Sequence, residues 1–392
     1  MVKEMPQGGK PARLTAGGPW PRFPAMIRRP PFRPALGPLL AGLLLLAVAP
    51  PMQAESVAGL YEAEVGREAL ALGYPTQEPP EELPSRQVRR QAFMRAALAR
   101  VIVRLTGSSQ YLADPVVAES LLGEAGDFLT RYQRSSGEDG APRYRFRFDG
   151  EAVRAALWSA GLRVWGAQRP NILVWAAHRG SGNLRLASPD GQPELYKALR
   201  RAADRFGLPL AFPLLDAEDR QRVSGQDLLF EEWGGLIAAS RRYQPRTLLL
   251  VRLSGGVPGS GKADWVLREP SGETLRLTSQ ADDMRGAVTA GLRELLARLA
   301  DWYAVGPAVG PAWTVAVQGL PDLEAYARVE RGLTRLAAVT AVVPERIEGD
   351  RARFRVRIRG DEAQGTRLLG ILPFLASQGR SASGVRVFEY RP

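Results

Sequence analysis

Cysteine is absent from all 392 residues, and that absence removes several chemistries at once. Disulfides, thiolate nucleophiles, thiolate zinc sites and a lipid attached through cysteine are excluded. Histidine is nearly absent as well, His178 being the single example. Multi-histidine metal sites fall with it. A histidine-dependent triad would have to use His178, and no serine sits in a Gly-x-Ser-x-Gly elbow to partner it. At a strand end beside Arg179 and Gly180 it reads as a solvated loop residue. No metal, cofactor or catalytic residue is therefore expected. Apolar runs long enough to cross a bilayer are also lacking, since a spanning helix needs about 20 residues.

The longest apolar run, residues 38–49, is uncharged but too short to span. Arg28, Arg29 and Arg33 precede it, and Pro50-Pro51-Met52-Gln53-Ala54 breaks it before Glu55. That order of basic, apolar, breaker and small residue is the pattern of a secretory signal peptide, with cleavage expected after Ala54. Met52 stands where a small residue is preferred. Residues 1–25 read as an unstructured extension, and Met26-Ile27-Arg28-Arg29 as an alternative start to Met1. Half of the formal +12 charge lies in residues 1–54, so the remaining chain carries only +6. Arg, Ala, Leu and Gly usage suits a GC-rich bacterial genome, and the expected destination is the periplasm.

Residues 55–392 suffice for two or three domains at about 100–150 residues each. The pattern predicts an α/β fold of three small units: residues 55–167, 168–305 and 306–392. In the first, residues 57–65 form a weak strand, and the Pro/Glu-rich stretch 66–84 a surface loop. Ser85 is the expected N-cap of the clearest helix, 86–105, whose arginines (Arg86, Arg89, Arg90, Arg95, Arg104) keep one face wet while Gly107 closes it. A helix starting at Asp114-Pro115 follows. Strict alternation in Arg143-Tyr144-Arg145-Phe146-Arg147-Phe148 marks a half-buried strand with arginines toward water rather than toward nucleic acid. The helix 150–161 returns from it.

In the second unit, buried strands 171–177 and 247–253 alternate with helices 193–206 and 228–243, arguing parallel pairing. Short apolar 208–212, strands 263–269 and 273–278 and helix 285–303 complete it. A Gly/Pro linker, 306–311, leads to strand 313–317, helix 322–337, strands 339–345 and 353–359, helix 362–378 and strand 385–390. That βαββαβ order is the split arrangement of a ferredoxin-like sandwich. Its strand-to-helix run 353–378 echoes 143–161 of the first unit.

Three features invite a chemical reading. Gly256-Val257-Pro258-Gly259-Ser260-Gly261-Lys262-Ala263 has phosphate-loop spacing, but Ala263 replaces the magnesium-binding hydroxyl and the next segment reads as strand. A hairpin, with no nucleotide bound, is expected instead. Acids cluster at Asp216, Glu218 and Asp219, at Glu231 and Glu232, and at Asp282 and Asp283. Acids ahead of a helix more often cap it than face each other across a glycosidase cleft. Trp158, Trp165 and Trp175 gather near the junction of the first two units, where packing is the leading reading and partner contact the functional one.

Four segments, VAGLYEAEV (57–65), RQAFMRAALARVIVRLTG (90–107), GLRVWGAQRPNILVWAA (161–177) and LPLAFPLLDAEDRQRVS (208–224), resemble the bacterial family described as domain of unknown function 2066. That resemblance implies an exported protein without an assigned activity; residues before Met26 and the loop 74–84 depart from it. Residues 195–254 are more loosely similar to the α/β domain of curli-secretion and Tol-associated envelope proteins, which implies assembly rather than catalysis. The expectation is a non-enzymatic envelope scaffold or accessory binding protein, with an envelope protein or cell-wall component as partner. A carboxylate-based hydrolase of envelope glycans is the alternative, and a protein binding anionic polymers a third, provided its arginines gather on one face. Terminal mapping of the exported protein by mass spectrometry should give Glu55 as first residue. Recovery of the polypeptide from the cytosol with the bond between residues 54 and 55 intact would overturn the export assignment.

Overall fold

The computed structural model describes residues 57, 59–76, 78–137, 140–179, 183–254 and 260–391. The signal-like segment 1–54 and residues 256–259 of the glycine loop lie outside them. The α/β class holds: three sheets, each with helices against it, occupy successive stretches of chain. Among the described residues, no helix is long and apolar enough to cross a membrane.

The first sheet contains β1 (Glu62–Val65), β2 (Leu129–Ser136) and β3 (Pro142–Phe148), in the order β1-β3-β2. Helix α1 (Arg86–Thr106) packs across it, α2 (Pro115–Gly123) lies beside its core, and α3 (Gly150–Ser159) follows β3. The caps are those expected: Ser85 accepts from the Val88 amide at 3.1 Å, Asp114 caps α2, and Gly107 closes α1 at φ 79°. Two expectations are corrected. Stretch 66–84 is not all loop, because Arg67–Gly73 forms a 3-10 helix that buries Ala69 and Leu70 against α1. Arg104 is not on a wet face; it is 9% exposed and donates to the carbonyls of Glu62 and Arg205. Its position, three residues after Val101 and seven after Ala97, puts it on the apolar stripe.

The central sheet is built from β4 (Ile172–Arg179), β5 (Leu184–Leu186), β6 (Leu210–Ala211), β7 (Thr247–Ser254), β8 (Gly261–Arg268) and β9 (Thr274–Ala281), in the order β5-β4-β7-β8-β9 with β6 against β4. β4 pairs in parallel with β7 and β6; the remaining pairs are antiparallel. Alternation along β4 and β7 feeds two layers. Ile172, Val174, Leu249 and Val251 face α4 (Pro193–Phe206) and α8 (Met284–Tyr303). Leu173, Trp175, Leu248 and Leu250 face α5 (Ala217–Arg222), α6 (Gly225–Phe230) and α7 (Trp233–Ser240). The single helix expected over 228–243 is broken at Glu231, whose φ of 56° cannot continue a right-handed helix. At Gly291 on α8, a Cβ would meet the Trp265 ring at 2.3 Å, so only glycine lets α8 seat on β8.

The third sheet holds β10 (Trp313–Gln318), β11 (Val339–Glu348), β12 (Arg351–Ile358), β13 (Leu375–Arg380) and β14 (Arg386–Tyr390), with α9 (Leu323–Arg335) and α10 (Glu362–Gly370). Its order is β11-β12-β10-β14-β13. The βαββαβ expectation is thus short by one strand. Helix α10 stops at Gly370, ahead of Pro373, because the residue before a proline is pushed out of helical geometry. The freed segment becomes β13, and β14 enters between β13 and β10, parallel to β10.

Segment 158–171 welds these units together. Val164 and Val305 exchange amide hydrogen bonds at 2.9 and 3.0 Å. Trp165 lies between the Tyr303 ring (5.4 Å) and the Arg169 guanidinium (4.2 Å). Arg169 is wholly buried and donates to the carbonyls of Gly207, Arg104 and Phe206 at 2.9, 2.6 and 3.3 Å. Burial, then the neighbouring Arg104, pulls its pKa down to about 9, which still leaves it charged at neutral pH. On the far side, Tyr303 donates to Glu269 at 2.6 Å, and Arg367 of α10 donates to Glu269 and Glu273 at 3.4 and 3.0 Å.

Arg169→Leu leaves those carbonyls buried without a donor and should lower unfolding stability by about 3 kcal/mol or more in urea titration. Arg169→Lys should recover only part, lacking the planar fork. Desolvation, opposed by Tyr303 and Arg367, raises the Glu269 pKa above its ordinary 4.5. The folded state therefore binds the extra proton, and the stability Glu269 contributes is full below pH 4.5 and falls as pH rises through the folded value. Glu269→Gln should flatten that fall in melting curves recorded across the same range; an unchanged slope would discard the assignment.

Candidate functional site

The three tryptophans do not form a surface. Trp165 and Trp175 are 0% exposed and belong to different layers, Trp165 to the α4/α8 side and Trp175 to the α7 side, where its indole donates to Ser240 at 2.9 Å. Only Trp158 reaches solvent in part; it donates to the Val305 carbonyl at 3.3 Å under the Arg359 guanidinium, 4.1 Å above its ring. All three are packing residues, two of them without surface to offer a partner. His178, expected as a solvated loop residue, lies instead within β4, half-buried and paired on both sides, opposite Arg185 and Leu253, because the strand runs on to Arg179. Of the glycine-loop motif, Gly261, Lys262 and Ala263 lie in β8, paired with β7 and β9, so a strand stands where phosphate binding needs a helix.

The acidic clusters resolve into caps and ion pairs. Asp216 caps α5 and Asp283 caps α8. Asp219 is buried and accepts from the Tyr243 hydroxyl at 2.5 Å and the Leu215 amide at 2.9 Å. Glu231 binds Arg276 at 2.6 Å. Among the described residues, no group of three acids and histidines could hold a metal ion. A cleft between β1 and α4 does bring Asp204 near Glu62 and Glu64. Burial holds the Asp204 carboxyl above its ordinary range. Both glutamates are engaged, Glu62 by Arg147 at 2.7 Å and Glu64 by Arg145 at 2.8 Å.

Arginine pairing separates two surfaces of the first unit. On the outer face of β3, Arg143, Arg145 and Arg147 each meet a glutamate: Glu68 at 2.6 Å, Glu64 and Glu62. Those three charges are neutralised. On the inner face, antiparallel register sets Tyr132 opposite Phe146 and Arg134 opposite Tyr144, so both point toward the layer occupied by α1. Past the end of that helix cover, a groove of about 600 Å³ opens, lined by Arg86, Gln87, Arg89, Arg90, Tyr132, Arg134 and Tyr144. Its floor is aromatic: Tyr144 stacks on Phe93 at 4.3 Å, and Tyr132, 40% exposed, lies 5.1 Å from Phe146.

Among the described residues, no carboxylate lines this groove. Arg89 donates to the Leu83 carbonyl, and none of the four arginines is in an ion pair among the described residues. Arg86 occupies the first position of α1, whose first turn carries no acid, so its charge opposes the helix dipole. Arg89 and Arg90, three and four residues on, add like-charge neighbours on the same side. Each such effect costs a few tenths of a kcal/mol. Local rules broken together in one place mark function more often than accident. What this arrangement can do chemically is bind anions: several guanidinium forks above aromatic faces, on a preformed floor. The sequence held Arg86, Arg89 and Arg90 in view as solvated positions. Tyr132 and Arg134 were missed because β2 has no clean alternation of apolar residues; the register with β3 is what identifies them.

Comparison with known proteins bears on this same stretch. Residues 77–166 match a family described as a domain of unknown function, DUF8605, and every residue lining the groove falls inside that match. No curated protein and no solved structure matches the chain.

Proposed function

We infer that this chain is a non-enzymatic binding protein of the bacterial cell envelope, exported to the periplasm, and that it holds an anionic partner in the groove beside α1. The observation that carries this reading is the set of four arginines around an aromatic floor, none of them ion-paired among the described residues. The resemblance to domain of unknown function 2066 supports export, as does the signal-like segment 38–54. The alternative, hydrolysis of envelope glycans, would use the cleft holding Asp204, whose raised pKa suits a general acid. It is the weaker reading, because the neighbouring glutamates are occupied by arginines and less free to act as base or nucleophile.

A photo-crosslinking residue in place of Gln87 lies in the groove without removing a charge. In intact cells it should capture a discrete partner, and Arg86→Glu with Arg134→Glu should reduce that adduct at least tenfold. An adduct indifferent to the two charge reversals would discard the groove as the site. Release of glycan fragments by the purified protein, abolished in Asp204→Asn, would replace the binding reading with the hydrolase.

A further inference from the structure

We propose that the occupant of this groove is an extended, acidic segment of a partner protein, which adds as a fourth strand to the free edge of β2. The inference rests on the anionic-partner reading and adds the partner's class and mode of attachment. The sheet order β1-β3-β2 leaves two edges. The β1 edge is closed from within: Arg100 and Arg104 of α1 donate to the carbonyls of Glu64 and Glu62, each at 2.5 Å. The β2 edge pairs with no strand among the described residues, although β2 runs for eight residues, seven of them exposed. Eight residues at about 3.3 Å each present some 26 Å of edge for main-chain pairing.

Natural proteins guard long edges with charge, which prevents pairing with copies of themselves. Here the charge has one sign and comes from two elements. Arg134 lies on β2 itself, facing inward, while Arg86 and Arg90 reach the same groove from the first turns of α1. Arg131, opposite Arg147 in the register, serves the outer face. A strand laid along β2 would send alternate side chains to these two faces, the inner ones beside Tyr132 and the guanidinium forks. Acidic residues there would pair with guanidinium groups that meet no carboxylate among the described residues. Such strand addition draws affinity from the main chain and selectivity from alternate pockets. The same arginines would repel a basic segment.

The test uses the purified chain 55–392 and a fluorescent ten-residue peptide alternating Glu with Val, measured by anisotropy. Alongside it run the same peptide N-methylated at alternate residues and inorganic polyphosphate. Expected are saturable binding of the plain peptide, at least tenfold weaker binding of the N-methylated one, and a similar loss with Arg86→Glu plus Arg90→Glu. Amide hydrogen exchange in residues 129–136 should slow when the plain peptide binds. The N-methylated peptide keeps the test meaningful if a charge variant misfolds, since it leaves the protein untouched. Equal binding of both peptides overturns strand addition. Binding of polyphosphate with no binding of peptide overturns the protein segment as occupant but keeps the anionic groove. Binding of neither removes the anionic-partner reading itself.

Discussion

One guanidinium group, that of Arg169, ties the first unit to the second. It lies wholly buried against the Trp165 ring and is shared among carbonyls at the ends of α1 and α4. Burying a charge is tolerable only where fixed dipoles replace water. The C-terminal carbonyls of two helices supply them, at the ends where the helix dipole favours a cation. Arg104, whose own carbonyl Arg169 holds, repeats the device with its side chain, reaching the carbonyls of Glu62 and Arg205. Together the two arginines tie the C-terminal end of α1 to the end of α4 and to β1.

That rigidity matters for the groove at the opposite end of the same helix. α1 is 21 residues long, so it spans roughly 30 Å at 1.5 Å per residue. Its C-terminal half is fixed in the weld, and its middle is packed on β3 through Phe93 and Tyr144. Its first turns project past the end of that packing, over the inner side of β2. The groove is therefore a consequence of a three-stranded sheet being covered by a helix longer than the sheet requires. Two ends of one element carry arginines in different roles: at one they are buried and satisfied by carbonyls, at the other they line a groove and have no acid partner among the described residues.

Legibility in the sequence followed range. The caps Ser85, Asp114, Asp216, Asp283 and Asp322, and the closing Gly107, act within one turn, and the helices they bound could be located from them. The arginine alternation of β3 was legible for the same reason. The overlong expectation for α10 had its correction in the sequence, at Pro373. β2, with Leu129-Thr130-Arg131-Tyr132-Gln133-Arg134, was not legible, because an edge strand exposed on both faces carries no period to read. The tryptophans illustrate the opposite case. Their proximity in the chain suggested a shared place, yet Trp165 and Trp175 lie on opposite faces of the central sheet.

What residue order determined alone is therefore compositional and local: no thiol chemistry, no multi-histidine metal site, an α/β alternation, and most helix ends. These depend on which residues exist and on contacts within a few positions. Only the tertiary structure decided which arginines are spent on glutamates, which on carbonyls, and which are left facing a groove. Arg86 and Arg145 look alike in the sequence. Charge interactions depend on separation and on how much water remains between the groups, and both quantities are set by the register of β2 on β3 and by the reach of α1 beyond it.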